Sequence, residues 1–142
     1  MFKDSRRIIF LIAMLSISAC AVLQPKTDEE QVLYLAQQRQ NALLGQDYAK
    51  AYKYMSPGYR QLNTLQQFNS RYAGAHSWES ADVYKTLCEE EICTAYVKVK
   101  FDAGALMGGG GRGALSKKNL LDRVTQETWV ILDNKWWFSK SN

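Results

Sequence analysis

Two hydrophobic periods divide this chain. From Asp28 to about Gly74, apolar residues recur every three or four positions, and from Trp78 onward they alternate. Thr27 with Glu30 forms a capping box, and Val32, Leu35, Ala36, Arg39, Ala42 and Leu43 follow at helical spacing. Gly45 supplies a stop, so the pattern predicts a first helix over 28–44. Asp47 caps a predicted second helix carrying Tyr48, Ala51, Tyr52 and Met55, which Ser56-Pro57-Gly58 is expected to end. Thr64 and Gln67 make a second capping box, opening a third helix with Leu65, Phe68 and Tyr72 on one side. The period then becomes two. Strands are expected at 78–88, 92–102, 121–132 and 135–138, the last pair joined by an Asp133-Asn134 turn. In the second of them Cys93, Ala95, Val97, Val99 and Phe101 face one way, and Thr94, Tyr96, Lys98 and Lys100 the other. Helices first and an antiparallel meander after them mean an α+β domain.

The stretch before these elements reads differently. Lys3, Arg6 and Arg7 precede the apolar run Ile8–Ile17, and small residues follow. That is the layout of a secretory signal. A run of about ten residues is half the roughly 20 that span a bilayer, so a permanent span is not expected. Ile17-Ser18-Ala19-Cys20 resembles a bacterial lipobox. The resemblance implies removal of residues 1–19 and acylation of Cys20 with chains such as palmitate. Residues 20–27 then form a short tether, and Ala21 in place of an aspartate implies the outer membrane, with the domain on its periplasmic face. Two or more acyl chains hold a protein firmly where one does so marginally.

With Cys20 assigned to lipid, Cys88 and Cys93 remain. An oxidising compartment favours their pairing across a tight hairpin, where a disulfide pins register and contributes about 2 kcal/mol. A zinc site needs four ligands, and the chain has one histidine, His76, so no metal is expected. Residues 1–19 hold Lys3, Asp4, Arg6 and Arg7, so the formal charge of +4 falls to +2 for residues 20–142, which include the 28–142 domain and are close to balanced. No basic stripe or motif supports nucleic-acid binding.

The stretch from Ala42 to Arg60, the helix containing Phe68, and the closing Glu127-Thr-Trp-Val-Ile-Leu-Asp-Asn-Lys-Trp-Trp-Phe138 resemble the NTF2-like superfamily over residues 28–139. The resemblance implies a cone: three helices on a curved antiparallel sheet of about four strands. Some members of that fold, ketosteroid isomerase and scytalone dehydratase among them, move protons with carboxylates, histidines and tyrosines inside the cone. Asp82, Tyr84, Tyr96, Asp102 and Glu127 are the candidates for that chemistry here. None matches a catalytic motif residue by residue, and no serine or cysteine stands beside a base.

One departure from the pattern is the glycine-rich insertion 104–119. Gly108, Gly110 and Gly113 satisfy GxGxxG, but a dinucleotide site needs it in a strand-to-helix turn of a βαβ unit. The segment reads as a hairpin loop, or as one that orders on a partner through Arg112, Lys117 and Lys118. Trp129, Trp136 and Trp137 read as packing residues or, with Trp78, Tyr84 and Tyr96, as an aromatic surface for a ligand or partner. Glu89-Glu90-Glu91 reads as a solvated hairpin tip. The expectation is a non-enzymatic binding or adaptor domain without cofactor, anchored to the membrane through Cys20 and engaging an envelope protein or a second copy. The alternatives are a receptor for a small apolar ligand in the cone and, further off, an isomerase or dehydratase.

Overall fold

A computed structural model describes residues 26–106 and 119–140. The signal segment, Cys20, most of the tether and the basic residues Arg112, Lys117 and Lys118 lie outside the described residues. Helix α1 spans Asp28–Leu44, with Thr27 and Glu30 forming the capping box and Gly45 the C-cap. Its buried stripe is Val32, Ala36, Arg39, Gln40, Ala42 and Leu43, the 3.6-residue period of a helix lying on a sheet. Two of those six are polar, and they position the site described below.

The helical region differs from expectation at Ser56-Pro57. Helix α2 is short, Tyr48–Tyr52, capped by Asp47. Ser56 then caps a further helix α3, Pro57–Leu62, with its hydroxyl accepting from the Tyr59 amide. Proline breaks a helix in its interior but is well placed in the first turn, where its missing donor has no intrahelical partner. The Ser-Pro pair is thus a helix start and not the expected stop, since α2 has already ended at Tyr52, and four α-helices precede the sheet among the described residues instead of three. Between α2 and α3, Met55 bridges Phe138, with Ser56 N–H donating to Phe138 O at 2.9 Å and Phe138 N–H to Tyr54 O at 2.8 Å. Helix α4, Leu65–Arg71, carries the second capping box, and a 3-10 turn, Ala73–Ser77, leads into the sheet.

Strands β1 (Trp78–Glu89), β2 (Ile92–Asp102), β3 (Leu120–Leu132) and β4 (Lys135–Ser139) form one antiparallel sheet in sequence order. A short helix α5, Ala103–Leu106, follows β2, so the insertion begins helically. The β3–β4 turn has Asp133 at φ 51° and Asn134 at φ 57°. Both positive values match the twist of a two-residue hairpin, and Asp and Asn tolerate them better than other side chains. At the β1–β2 hairpin Cys88 pairs directly with Cys93 and the two form a disulfide.

β1 is an edge, and α1 covers it. Gln37 donates to Ala81 O at 3.0 Å and accepts from Val83 N–H at 2.9 Å, while Thr86 Oγ1 donates to Glu29 O. Those contacts satisfy edge groups that would otherwise template a second chain. The ladder shifts register between Val83 and Lys85, and such bulges bend a sheet. The core lies between α1, the linker at Met55 and the inner sheet face, around Leu43, Phe68, Val97, Cys93, Trp129 and Phe138.

Candidate functional site

The inner face of the sheet is not packed along its whole length. A cavity of about 540 Å³ opens between α1, the α4 end, the 3-10 turn and strands β2 to β4. Pockets of about 300–1,000 Å³ accommodate small organic molecules.

Among its buried side chains is an ion pair. Arg39 of α1 donates through Nη1 to Glu127 Oε1 of β3, and the two residues are 1% and 6% exposed. Gln40 Nε2 donates to the same oxygen at 2.7 Å, and Trp129 Nε1 to Glu127 Oε2 at 3.3 Å. Arg39 Nη2 donates to Tyr72 OH at 2.7 Å, and its guanidinium lies 4.1 Å from the Phe138 ring centre. Burial pushes the Glu127 carboxyl above its ordinary value, against the opposing pull of Arg39, Trp129 and Gln40. Burial also raises Tyr72. Arg39 Nε and Gln40 Oε1 are buried and have no partner among the described residues.

Nearer the opening stand Arg71 at the end of α4, Arg123 on β3 and Lys140 just past β4. Arg71 and Arg123 are exposed, while Lys140 is half-buried, its ammonium 5.5 Å from the Tyr72 ring centre. Burial lowers the Lys140 pKa first, and repulsion from Arg71 and Arg39 lowers it further. Trp78, Val99 and Phe101 supply an apolar wall. Among the described residues Glu127 is the one acid in the lining.

The expected aromatic residues scatter around this cavity. Trp78 lines it. Trp129 is fully buried between Tyr54 and Phe138, and Trp136 packs beneath α1, its Nε1 donating to Asp28 at 3.4 Å. Trp137 points to the opposite side, under the Arg60 guanidinium at 5.1 Å. Tyr84 and Tyr96 meet at 6.3 Å on the outer sheet face, where Asp82 is also exposed. Asp102 Oδ1 accepts from Gly104 N–H at 2.9 Å, and His76 Nδ1 sits 2.6 Å from Ala73 O. Of the five proton-transfer candidates, only Glu127 lines the cavity. No group of three or more metal-ligating side chains occurs among the described residues. No helix among them is long and apolar enough to cross a membrane.

Arg71, Tyr72, Arg123 and Lys140 were not expected at a site. Arg39 carried a signal: a cation at a core position of an apolar stripe. Glu127 carried its counterpart, a carboxylate two residues from Trp129 on the same strand face.

This arrangement, helices laid into a curved four-stranded antiparallel sheet with a cavity at its open end, is an NTF2-like fold. Solved structures of similar fold include a protein described as an NTF2-like transpeptidase from Campylobacter jejuni, at TM-score 0.52 and 12% identity over 76% of this chain and 96% of that one. They also include two SEC-C motif containing proteins. The one from Psychrobacter arcticus has TM-score 0.58 and 14% identity, over 82% of this chain and 61% of that one. The one from Rhodopseudomonas palustris has TM-score 0.53 and 15% identity, over 75% and 73%. At such identities the likeness is one of fold. No protein-family model and no curated protein matches the sequence.

Proposed function

We propose that this chain is a lipid-anchored envelope protein whose periplasm-facing NTF2-like domain acts as a receptor, holding a small molecule in the open end of its cone without transforming it. The observation that carries this reading is the cavity of about 540 Å³, with an apolar wall on one side and polar groups on the other. Glu127 supports binding over proton transfer. Its two oxygens accept from Arg39, Gln40 and Trp129, which leaves it poorly placed to take a proton from a substrate.

Native mass spectrometry of the full chain, gently extracted from its own membranes, tests the receptor. A bound mass of a few hundred daltons is expected. A bare chain, or one carrying only another protein, would replace the receptor with an adaptor. The anchor is tested separately: Cys20→Ser releases the protein from membranes, and retention in high salt would refute acylation as the attachment.

The adaptor reading has its own observation. The outer sheet face presents Tyr84 and Val124, each 56% exposed, together with Ile92 and Leu87. Apolar side chains gathered on one exposed face mark contact surfaces.

A further inference from the structure

We propose that the cavity selects an organic oxyanion: a compact ring or short chain bearing a carboxylate-type head, with the head among Arg71, Arg123 and Lys140 and the body against Trp78 and Phe101. This rests on the receptor reading and specifies its ligand.

The argument begins with charge. Four cations line the cavity, Arg39, Arg71, Arg123 and Lys140, against Glu127 as the one acid among the described residues. Glu127 and Arg39 neutralise each other at depth. The three remaining cations come from α4, β3 and the segment after β4, so folding gathers them from sites far apart in sequence. That gathering is unfavourable in itself, since Arg71 and Arg39 both oppose the charge on Lys140. Exposed charges such as Arg71 and Arg123 contribute little to fold stability. In a cleft with low-dielectric walls they focus a positive potential and raise the local concentration of anions.

The walls then limit what kind of anion fits. A neutral apolar guest would cover three cations without pairing any of them, and burying unpaired charge is strongly unfavourable. A bare inorganic anion would leave Trp78, Val99 and Phe101 facing water. A guest with one charged end and one apolar end meets both walls.

The test uses two molecules of nearly equal size and shape, 1-naphthoate and the neutral 1-naphthamide. Each is titrated by calorimetry into the full chain held in phosphatidylcholine nanodiscs, with empty discs as the blank. Naphthoate is expected to bind about tenfold or more tightly than naphthamide, because hydrogen bonds to a charged group are worth more than neutral ones. Arg71→Gln, Arg123→Gln and Lys140→Gln each weaken naphthoate several-fold, and the triple variant abolishes its advantage while leaving naphthamide unchanged. Unchanged thermal melting of each variant shows that the fold persists. Equal binding of the two probes, insensitive to the three substitutions, would overturn the anion inference and leave the receptor standing. Binding of neither at millimolar concentration, with no small mass found by native mass spectrometry, would overturn both.

Discussion

The two ends of the cavity hold charge in opposite ways. At the floor, Arg39 and Glu127 are buried, paired, and fixed by Gln40, Trp129 and Tyr72. At the rim, Arg71, Arg123 and Lys140 share one sign and face the opening. The floor charges cannot be changed singly without stranding a partner in a dry place. The Arg71 and Arg123 charges can, because both side chains are exposed to water, while Lys140 is half-buried. The floor thus belongs to the fold and the rim to the ligand, although both line one space.

That division is testable by stability and binding measured side by side. The largest effect is expected at the floor. Glu127→Ala leaves Arg39 buried and uncompensated, at a loss of about 3–5 kcal/mol in urea unfolding. The double variant Arg39→Met/Glu127→Leu recovers most of that loss, since buried pairs often exchange for apolar residues at little net change. A double variant as damaged as the sum of Arg39→Met and Glu127→Leu made singly would show that the two do not act as a pair. Next in size is the Cys88–Cys93 disulfide. Its loop is short, so Cys88→Ser/Cys93→Ser is expected to lower stability by about 2 kcal/mol without altering naphthoate binding. Measured loss of binding would show that the hairpin tip shapes the cavity. At the rim, Arg71→Gln and Arg123→Gln change unfolding by less than about 0.5 kcal/mol, the range of ordinary surface substitutions. A loss of several kcal/mol would move these residues from ligand to fold.

The smallest effect is a pH dependence. Burial and the neighbouring Arg71 and Arg39 lower the pKa of Lys140. The ammonium therefore deprotonates below the usual lysine range. An anion needs that charge, so naphthoate affinity falls as pH rises through the lowered pKa. Bound anion raises that pKa, and the complex takes up protons in the same window. Affinity that stays level to the ordinary lysine value would mean Lys140 does not meet the head. Since Lys140 is deprotonated more readily folded than unfolded, its contribution to folding stability rises with pH over that interval.

Much of the fold was legible because its signals are local. Thr27 and Glu30 are three residues apart, and the helix they open runs to Gly45 as the spacing predicts. The alternation in Cys93–Phe101 became the inner row of β2. Cys88 and Cys93, five residues apart, meet across a hairpin. The local reading went astray at Ser56-Pro57, where one pair of residues suits both a helix end and a helix start. Which role it plays is decided by Phe138, more than eighty residues away, whose backbone pins Tyr54 and Ser56.

The sequence by itself determined the two periods, the capping boxes, the strand registers near tight turns and the pairing of the last two cysteines, because each depends on residues within a turn or a hairpin of one another. It also placed Arg39 on a core stripe and Glu127 beside Trp129, without showing that the two would meet. Only the tertiary structure decided that they pair, that Tyr84 and Tyr96 face outward, and that Arg71, Arg123 and Lys140 surround one opening. A cavity is a property of what surrounds it. Its charge is a sum over side chains that only the curvature of the sheet and the docking of α1 bring within reach of one another, and no pattern along the chain carries that sum.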